Sequence, residues 1–237
     1  RAAHRVAASR GGGSVTADPH GAPVTAGPTS DGIVARPATA ADLDAAARVM
    51  VAAFPREFRL LFGARQRVAE EAAAHLLRDD CPDGCGVWVA WDGDAVIGMM
   101  LLESPPELRP RRTWRLAWHV AWRHVGPWGL PRLAWALLLP RYVVGPGEVY
   151  VRTIGVVAER RGRGAGTLLL ACAEEWGRRH RKGRLALHVS SENPRAHALY
   201  RRIGYINRGY RSSLTTWVLL RQRGTYYMTK PLHDPRG

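Results

Sequence analysis

The stretch from Ile154 to Leu170 reads IGVVAERRGRGAGTLLL and decides the fold of this chain. Its first residues are apolar and typical of a buried strand, and its last residues begin an apolar helical pattern. Between them lie Gly162, Gly164 and Gly166, which lack a Cβ and let the backbone turn tightly beside a ligand. A helix that starts directly after such a loop presents unpaired N–H groups and the positive end of its dipole. The stretch therefore predicts a strand, a loop and a helix that together bind a phosphate group.

Two familiar phosphate-binding loops do not have this spacing. A P-loop places Lys and then Ser or Thr after its last glycine, whereas no Lys follows Gly166. A Rossmann loop reads G-x-G-x-x-G, with an acidic residue at the end of the next strand. Here the pattern is R-x-x-G-x-G from Arg161 to Gly166, with further positive charge from Arg160 and Arg163. The loop therefore indicates another class of anion-binding site.

The residues before this stretch predict a strand, two helices and a hairpin. Thr39 and Asp42 form a helix-start pair, because a hydroxyl and a carboxylate three residues apart can cap a first turn. The tripeptide Asp92-Gly93-Asp94 is a turn composition between two strand-like runs. The predicted elements are a strand at Ile33–Arg36, a helix from Leu43 to Ala53, a helix at Ala64–Arg78 and strands at Val87–Trp91 and Ala95–Glu103. This order is typical of an α+β sandwich.

The residues after Pro146 continue the same architecture. A strand is predicted at Glu148–Val157, an amphipathic helix at Thr167–Lys182 and a strand at Leu185–Ser190. Gly183 comes after a basic last turn and is predicted to end that helix as its C-cap.

An insertion is predicted between Pro105 and Pro146. Trp114, Trp118 and Trp122 recur every four residues and would share one helical face. Seven arginines lie in or beside the insertion, namely Arg109, Arg111, Arg112, Arg115, Arg123, Arg132 and Arg141. We interpret the segment as a helical, basic and aromatic lid.

The composition indicates how many domains the chain forms and what charge its ligand carries. The chain has 237 residues, of which 46% are hydrophobic and 23% charged, as in ordinary globular domains. Its formal net charge of +15 predicts attraction to phosphate-bearing ligands or anionic surfaces. Residues 1–32 contain almost no large hydrophobic side chains and are expected to form a disordered tail, and residues 33–237 are expected to form one domain.

The cysteines and the apolar runs of the sequence indicate the cellular compartment and bear on metal binding and membrane insertion. Three cysteines cannot form a disulfide framework, so we expect a reducing compartment and a cytoplasmic protein. Cys81 and Cys85 have no second pair at zinc-finger spacing, and no metal site is predicted. The longest apolar run, Leu133 to Leu139, falls far short of the ~18 residues of a membrane-spanning helix.

Two motifs in the same order resemble the GNAT superfamily of N-acetyltransferases. They are the R-x-x-G-x-G loop and ENPRAHALYRRIGY from Glu192 to Tyr205, and the resemblance extends over roughly Ile33 to Leu232. The segment YYMTKPL near the end looks like the last strand of that family. The chain departs from the family at Ala158, where many members have Pro, and in its long insertion.

The resemblance implies a fold, an activity and a cofactor. The implied fold is a mixed, mostly antiparallel sheet that splays near Val156, with helices on both faces and the helical insertion between the third and fourth strands. The implied activity is the transfer of an acetyl group from acetyl-CoA to an amine through a ternary complex. The residues implied to contact acetyl-CoA are Ile154, Val156, Arg161, Gly162, Arg163, Gly164, Ala165, Gly166, Thr167 and Asn193.

The implied chemistry needs an acid and a base. Tyr200 matches the family's tyrosine that lies near the thioester sulfur and protonates the departing thiolate. An alkylamine with a pKa of about 10.4 must lose a proton before it can attack. His188 stands where some members have a Glu, and Glu148 on the preceding predicted strand is the second candidate base.

Alternatives to this interpretation concern the acceptor and the class of protein. A small-molecule amine is the favoured acceptor, and a protein N-terminus or a lysine is the alternative. The competing class is a basic module that binds nucleic acid or a membrane surface, although the sequence has no nucleic-acid motif beyond its charge. We expect no nucleic-acid partner, no stable membrane contact and either a monomer or a homodimer.

Overall fold

The computed structural model describes residues 32–80, 86–105, 142–212 and 223–232. The predicted tail and most of the predicted insertion lie outside these ranges. The described strands and α-helices are β1 (Val34–Pro37), α1 (Leu43–Ala53), α2 (Pro55–Phe62), α3 (Gln66–Asp80), β2 (Val87–Asp92), β3 (Ala95–Glu103), β4 (Glu148–Val156), α4 (Ala165–Arg179), β5 (Arg184–Ser190), α5 (Pro194–Arg202), β6 (Ile206–Ser212) and β7 (Gly224–Pro231).

The strands form one sheet in the order β1-β2-β3-β4-β5-β7-β6. Every neighbouring pair is antiparallel except β4 and β5, which are parallel because α4 carries the chain back across the sheet. The predicted mixed, mostly antiparallel sheet is therefore confirmed.

Helices cover both faces of the sheet, as predicted. On one face, α1 and α3 bury a cluster that includes Leu43, Ala46, Ala73, Leu77, Val89 and Met99. On the other face, α4 buries a cluster that includes Val149, Leu169, Leu170, Cys172, Trp176 and Leu185. Full burial of each large apolar side chain contributes about 1.5–3 kcal/mol, so these two clusters hold the layers together.

The helix-start pair takes its predicted form. The Asp42 carboxylate accepts hydrogen bonds from the Thr39 N–H at 2.7 Å and the Thr39 hydroxyl at 2.8 Å, and pairs with Arg36 at 2.7 Å. Burial alone would raise the pKa of Asp42, but the bonds from Arg36 and Thr39 hold that pKa below its usual value. The pair fixes the entry of the chain into α1.

The end of α4 differs from the prediction. The helix ends at Arg179, and the residue with positive φ beyond it is Arg181 (53°), so the prediction of Gly183 as its C-cap is wrong. The reason lies in His180, whose ring stacks on Trp176 at 3.9 Å between centroids and whose Nδ1 lies 2.8 Å from the Trp176 carbonyl oxygen. These contacts close the helix before the glycine is reached.

The sheet opens between β4 and β5. The two strands pair only from Glu148 with Arg184 to Val151 with Leu187, and no pairing continues beyond that point. We predicted that the sheet splays near Val156, and the separation begins several residues earlier. Among the helices of the described ranges, none has the length and hydropathy that crossing a bilayer requires.

Gly155 allows the end of α1 to pack on β4. A Cβ at this position would lie 2.5 Å from the Ala53 Cβ and 3.1 Å from Cε2 of Phe54, so no larger residue fits without movement. We expect Gly155→Ala to lower the free energy of unfolding by about 1–3 kcal/mol, the usual cost of overpacking. Denaturant unfolding would measure the loss.

Gly209→Ala is the matched control for this prediction. Gly209 is exposed on β6, its φ is not positive, and a Cβ there would have no atom within 4 Å beyond its chain neighbours. Its unfolding free energy should stay near that of the wild type. Equal stability of the Gly155 and Gly209 variants would contradict the packing argument.

Candidate active site

A cavity lies where β4 and β5 part. Its volume is ≈ 600 Å³, within the range of pockets that hold a drug-sized ligand. The lining residues are 50 and 53–58 from α1, α2 and their junction, 151–154 from β4, 187–190 from β5, 192, 193, 196 and 200 in and before α5, and Thr225 of β7. The cavity thus takes walls from both halves of the sheet.

The glycine-rich loop joins β4 to α4 as predicted. Gly162 has φ 84° and Gly164 has φ 87°, a left-handed conformation that glycine adopts without steric cost. Gly164 is the N-cap of α4, and the Leu168 N–H donates to its carbonyl oxygen at 2.9 Å. The earlier N–H groups of α4, from Ala165 to Thr167, have no intrahelical acceptor because of their position in the first turn. They form a cradle suited to a diphosphate.

The arginines of this loop hold it to the sheet. Arg161 donates from Nε to the Val156 carbonyl oxygen at 3.0 Å. Arg160 and Arg163 both pair with the carboxylate of Asp92, at 2.8 and 2.5 Å. The side chains of Arg161 and Arg163, predicted to contact the cofactor, therefore bond to protein groups.

Tyr200 lies in the wall of the cavity. It belongs to α5, whose N-cap is Asn193, and the Asn193 Oδ1 accepts the Ala196 N–H at 3.1 Å. This cap fixes the start of α5, and Tyr200 follows two helical turns later. The side chain is buried, and burial raises the pKa of Tyr200 to about 12. The hydroxyl therefore keeps its proton at neutral pH.

His188 lines the same cavity from β5. Its Nδ1 lies 3.0 Å from the hydroxyl of Tyr150. Burial, together with the positive charge of Arg211, lowers the pKa of His188, and the negative charge of Glu148 partly opposes this shift. The imidazole is therefore neutral at pH 7 and can accept a proton.

Glu148 lies outside the cavity lining. It is 1% exposed, and its carboxylate accepts hydrogen bonds from the Tyr142 hydroxyl at 2.9 Å, the Tyr227 hydroxyl at 2.8 Å and the Gly145 N–H at 3.1 Å. Arg184 Nε lies 3.7 Å away. The hydrogen bonds from these donors satisfy the buried carboxylate. The structure thus separates the two predicted bases, with His188 at the cavity and Glu148 behind it.

Three tyrosines surround these bases and were missed by the sequence reasoning. The rings of Tyr142 and Tyr227 each lie 5.1 Å from the His188 ring, and Tyr150 bonds to it. Tyr150 could have been found, because it stands two residues after Glu148 and so shares its face of the strand. Tyr227 could not, because its position opposite His188 depends on the β5–β7 register.

Ile154 and Val156 end the strand beside the opening. Both pair with β3, through Met100 and Gly98, on the side away from β5. Ile154 lines the cavity, and the Val156 carbonyl oxygen accepts the Arg161 bond.

The split sheet, with a glycine-rich loop that leads into a helix, occurs in a known protein family. Residues 52–205 match the model of the Acetyltransferase (GNAT) family. This chain belongs to the GNAT family. It is an acyl-CoA-dependent N-acetyltransferase, as the two sequence motifs predicted. No curated protein sequence matches it significantly.

Solved structures share the GNAT fold at low identity. An N-acetyltransferase from Staphylococcus aureus Mu50 is 20% identical with a TM-score of 0.58, over 82% of this chain and 98% of the other. A protein from Corynebacterium glutamicum ATCC 13032, described as histone acetyltransferase HPA2 and related acetyltransferase, is 22% identical with a TM-score of 0.55, over 86% and 98%. An N-acetyltransferase from Thermoplasma acidophilum in complex with coenzyme A is 12% identical with a TM-score of 0.50, over 84% and 98%.

Proposed function

We propose that this GNAT protein transfers the acetyl group of acetyl-CoA to the amine of a small molecule in a direct ternary complex. The observation that carries the proposal is one cavity whose wall contains both Tyr200 and His188. The glycine loop begins where the wall strand β4 ends. The proposed acid and the proposed base thus share one cavity, and the loop proposed to bind the anion follows one of the strands that line it.

The loop fits the diphosphate of the cofactor. Gly162 and Gly164 turn the backbone where side chains would obstruct a ligand, and the first turn of α4 offers N–H donors. Bound acetyl-CoA supplies an activated acetyl thioester. The backbone from Arg161 to Thr167, together with Asn193, would hold the cofactor, and the backbone of Ile154 and Val156 would flank its pantetheine arm.

Tyr200 acts as the acid. Its hydroxyl donates a proton to the sulfur that leaves when the new C–N bond forms. A pKa of about 12, against about 8.5 for a solvated thiol, makes this transfer uphill by roughly 5 kcal/mol. The burial that raises the tyrosine pKa also raises that of a thiol in the same cavity, so the true difference is smaller.

His188 acts as the base. If Nδ1–H donates to the Tyr150 oxygen, the lone pair lies on Nε2 and is free to take a proton from the acceptor amine. Tyr150 is then a positioning residue that sets the tautomer. Glu148 orients Tyr142 and Tyr227 against the imidazole.

The pH dependence tests this assignment. His188 must be neutral to act, and its pKa is lowered from 6.5, so the acid limb of kcat/KM should have its midpoint below pH 6.5. Arg211→Gln removes a repelling charge, stabilises the imidazolium and should move the limb to higher pH. His188→Gln should remove the limb and lower kcat/KM by roughly 100-fold.

Arg208→Gln is the control for the Arg211 variant. Arg208 also lies on β6, but it donates to Thr229 at 3.2 Å and is not among the charges that shift the His188 pKa. Its pH profile should match that of the wild type. An unshifted profile in the Arg211 variant, or a retained acid limb in the His188 variant, would remove His188 as the base.

The acceptor class follows from the cavity wall and the sequence charge. Met50, Phe54 and Phe58 give apolar surface to a wall that also contains Arg56 and Glu57, and this apolar surface suits a bulky or planar amine. The arginines of the insertion, which lies largely outside the described residues, disfavour polycations. We therefore propose neutral or anionic small amines as acceptors and expect polyamines to be poor ones.

A transfer screen tests the function as a whole. The protein is incubated with acetyl-CoA and panels of small amines, peptides with free N-termini and lysine peptides, and released CoA thiol and acetylated product are measured. Acetylation confined to small amines supports the proposal. Acetylation confined to peptides would replace the acceptor class, and absence of both transfer and CoA binding would overturn the proposal.

A further inference from the structure

Two ion pairs of the glycine loop meet at one carboxylate. Asp92 is the last residue of β2, next to the Gly93-Asp94 turn, and its Oδ2 lies 2.8 Å from Arg160 NH1 and 2.5 Å from Arg163 NH1. The Asp92 side chain is only 17% exposed, so solvent screens these pairs less than it would screen pairs on the open surface. The β2–β3 hairpin is thereby tied to a loop about 70 residues further along the chain.

The pairs span the turn that the loop requires. Arg160 precedes Gly162 and Arg163 follows it, so one carboxylate closes a bridge across this left-handed residue. Packing does not impose that conformation, because a Cβ on Gly162 would have no atom within 4 Å beyond its chain neighbours. The bridge through Asp92 therefore links the residues on the two sides of Gly162, in addition to the bond from Arg161 to the Val156 carbonyl oxygen.

Electrostatics favours the same arrangement. Arg160 and Arg163 carry like charges and would repel each other if the carboxylate between them were removed. Their separation would loosen the loop directly before the first N–H groups of α4. When the loop is already ordered before binding, the free energy of binding does not include the entropic cost of ordering it.

We infer that Asp92 is a positioning residue for the coenzyme: it holds the diphosphate-binding loop in its binding conformation through Arg160 and Arg163. The inference rests on the proposed binding of the diphosphate at this loop. It concerns binding of the donor only, because Asp92 is not among the residues that line the cavity.

The test is Asp92→Asn, which keeps the size of the side chain and removes its charge. Calorimetry with CoA should show affinity weaker by roughly tenfold, because the acceptor of two hydrogen bonds that preorganise the loop loses its negative charge. In steady state the KM for acetyl-CoA should rise with kcat unchanged, a split that a general loss of folding would not produce. Asp92→Glu should restore part of the affinity.

Asp94→Asn is the matched control, since Asp94 is exposed on the same turn and the substitution makes the same change of charge. It should bind CoA as the wild type does. In a variant that carries Arg160→Gln and Arg163→Gln, the Asp92 substitution should have no further effect, because its partners are gone.

Each other outcome is decisive. Unchanged CoA affinity in folded Asp92→Asn protein would overturn the inference, and tighter binding would show that Asp92 competes with phosphate for the arginines. Equal loss of CoA affinity in the Asp94→Asn variant would show that the loss comes from the change in net charge and not from the contacts of Asp92, and would also overturn the inference. Failure of the wild-type protein to bind CoA would overturn the proposed function and this inference with it.

Discussion

Tyr200→Phe is expected to lower kcat by on the order of 10²- to 10⁴-fold, the usual cost of removing a general acid. The ring remains and continues to fill its buried position, but the hydroxyl proton for the departing thiolate is lost. Affinity for CoA should be retained, because the loop that binds the diphosphate is elsewhere. Turnover on an identified acceptor and calorimetry with CoA measure the two effects separately.

Tyr205→Phe is a control with the same chemical change in the same cluster. Tyr205 packs against Tyr200 at 5.7 Å between ring centroids and is equally buried, but it does not line the cavity. Among the described residues its hydroxyl has no hydrogen-bond partner, so its removal should cost little stability. Near wild-type turnover is expected. Full activity of the Tyr200 variant would remove Tyr200 from the mechanism.

Gly164→Glu should weaken CoA binding by at least about 100-fold, or ~2.7 kcal/mol. Gly164 has φ 87°, where a residue with a Cβ is strained by about 1–3 kcal/mol, and a carboxylate there would also repel the diphosphate. Gly164→Lys adds a side chain of similar reach with the opposite charge, so it separates strain from repulsion. The Lys variant should bind CoA less tightly than the wild type and more tightly than the Glu variant.

Gly209→Glu controls for the added charge. Gly209 is exposed on β6, outside the loop and the cavity lining, and its φ is not positive. CoA affinity should therefore remain close to the wild-type value. A folded Gly164→Glu protein that binds CoA normally would contradict the placement of the diphosphate at this loop.

Local patterns predicted most of the individual helices and strands, and the resemblance to the GNAT superfamily implied the mixed sheet. The hairpin around Gly93 followed from turn composition, and the loop and α4 followed from glycines placed between a strand and a helix. The helix α2 was not predicted, because Pro55 and the short length of the segment masked its pattern, although Pro is favoured in a first helical turn. The strand β6 was not predicted either, because every residue in it is exposed and no apolar alternation marks it.

Contacts between residues far apart in the chain could not be predicted from the sequence. The position of Tyr200 was suggested by its motif, but the link from Asp92 to Arg163 joins separate elements and depends on how the sheet packs. The network around Glu148 is of the same kind, since Tyr227 lies 79 residues away in the chain. A pattern shows which residue types are present, whereas their pairing is set by tertiary structure.

The separation of β4 and β5 after Val151 and Leu187 bears on how such an enzyme acquires a new acceptor. An opening made by two diverging backbones persists whatever side chains the strands carry. Side chains contribute the wall from Met50 to Phe58 instead, so substitutions there change the shape of the opening without disturbing the hydrogen bonds that pair β4 with β5 up to Val151 and Leu187. Directed evolution of this chain toward a different amine should therefore begin in that wall and leave the strands untouched.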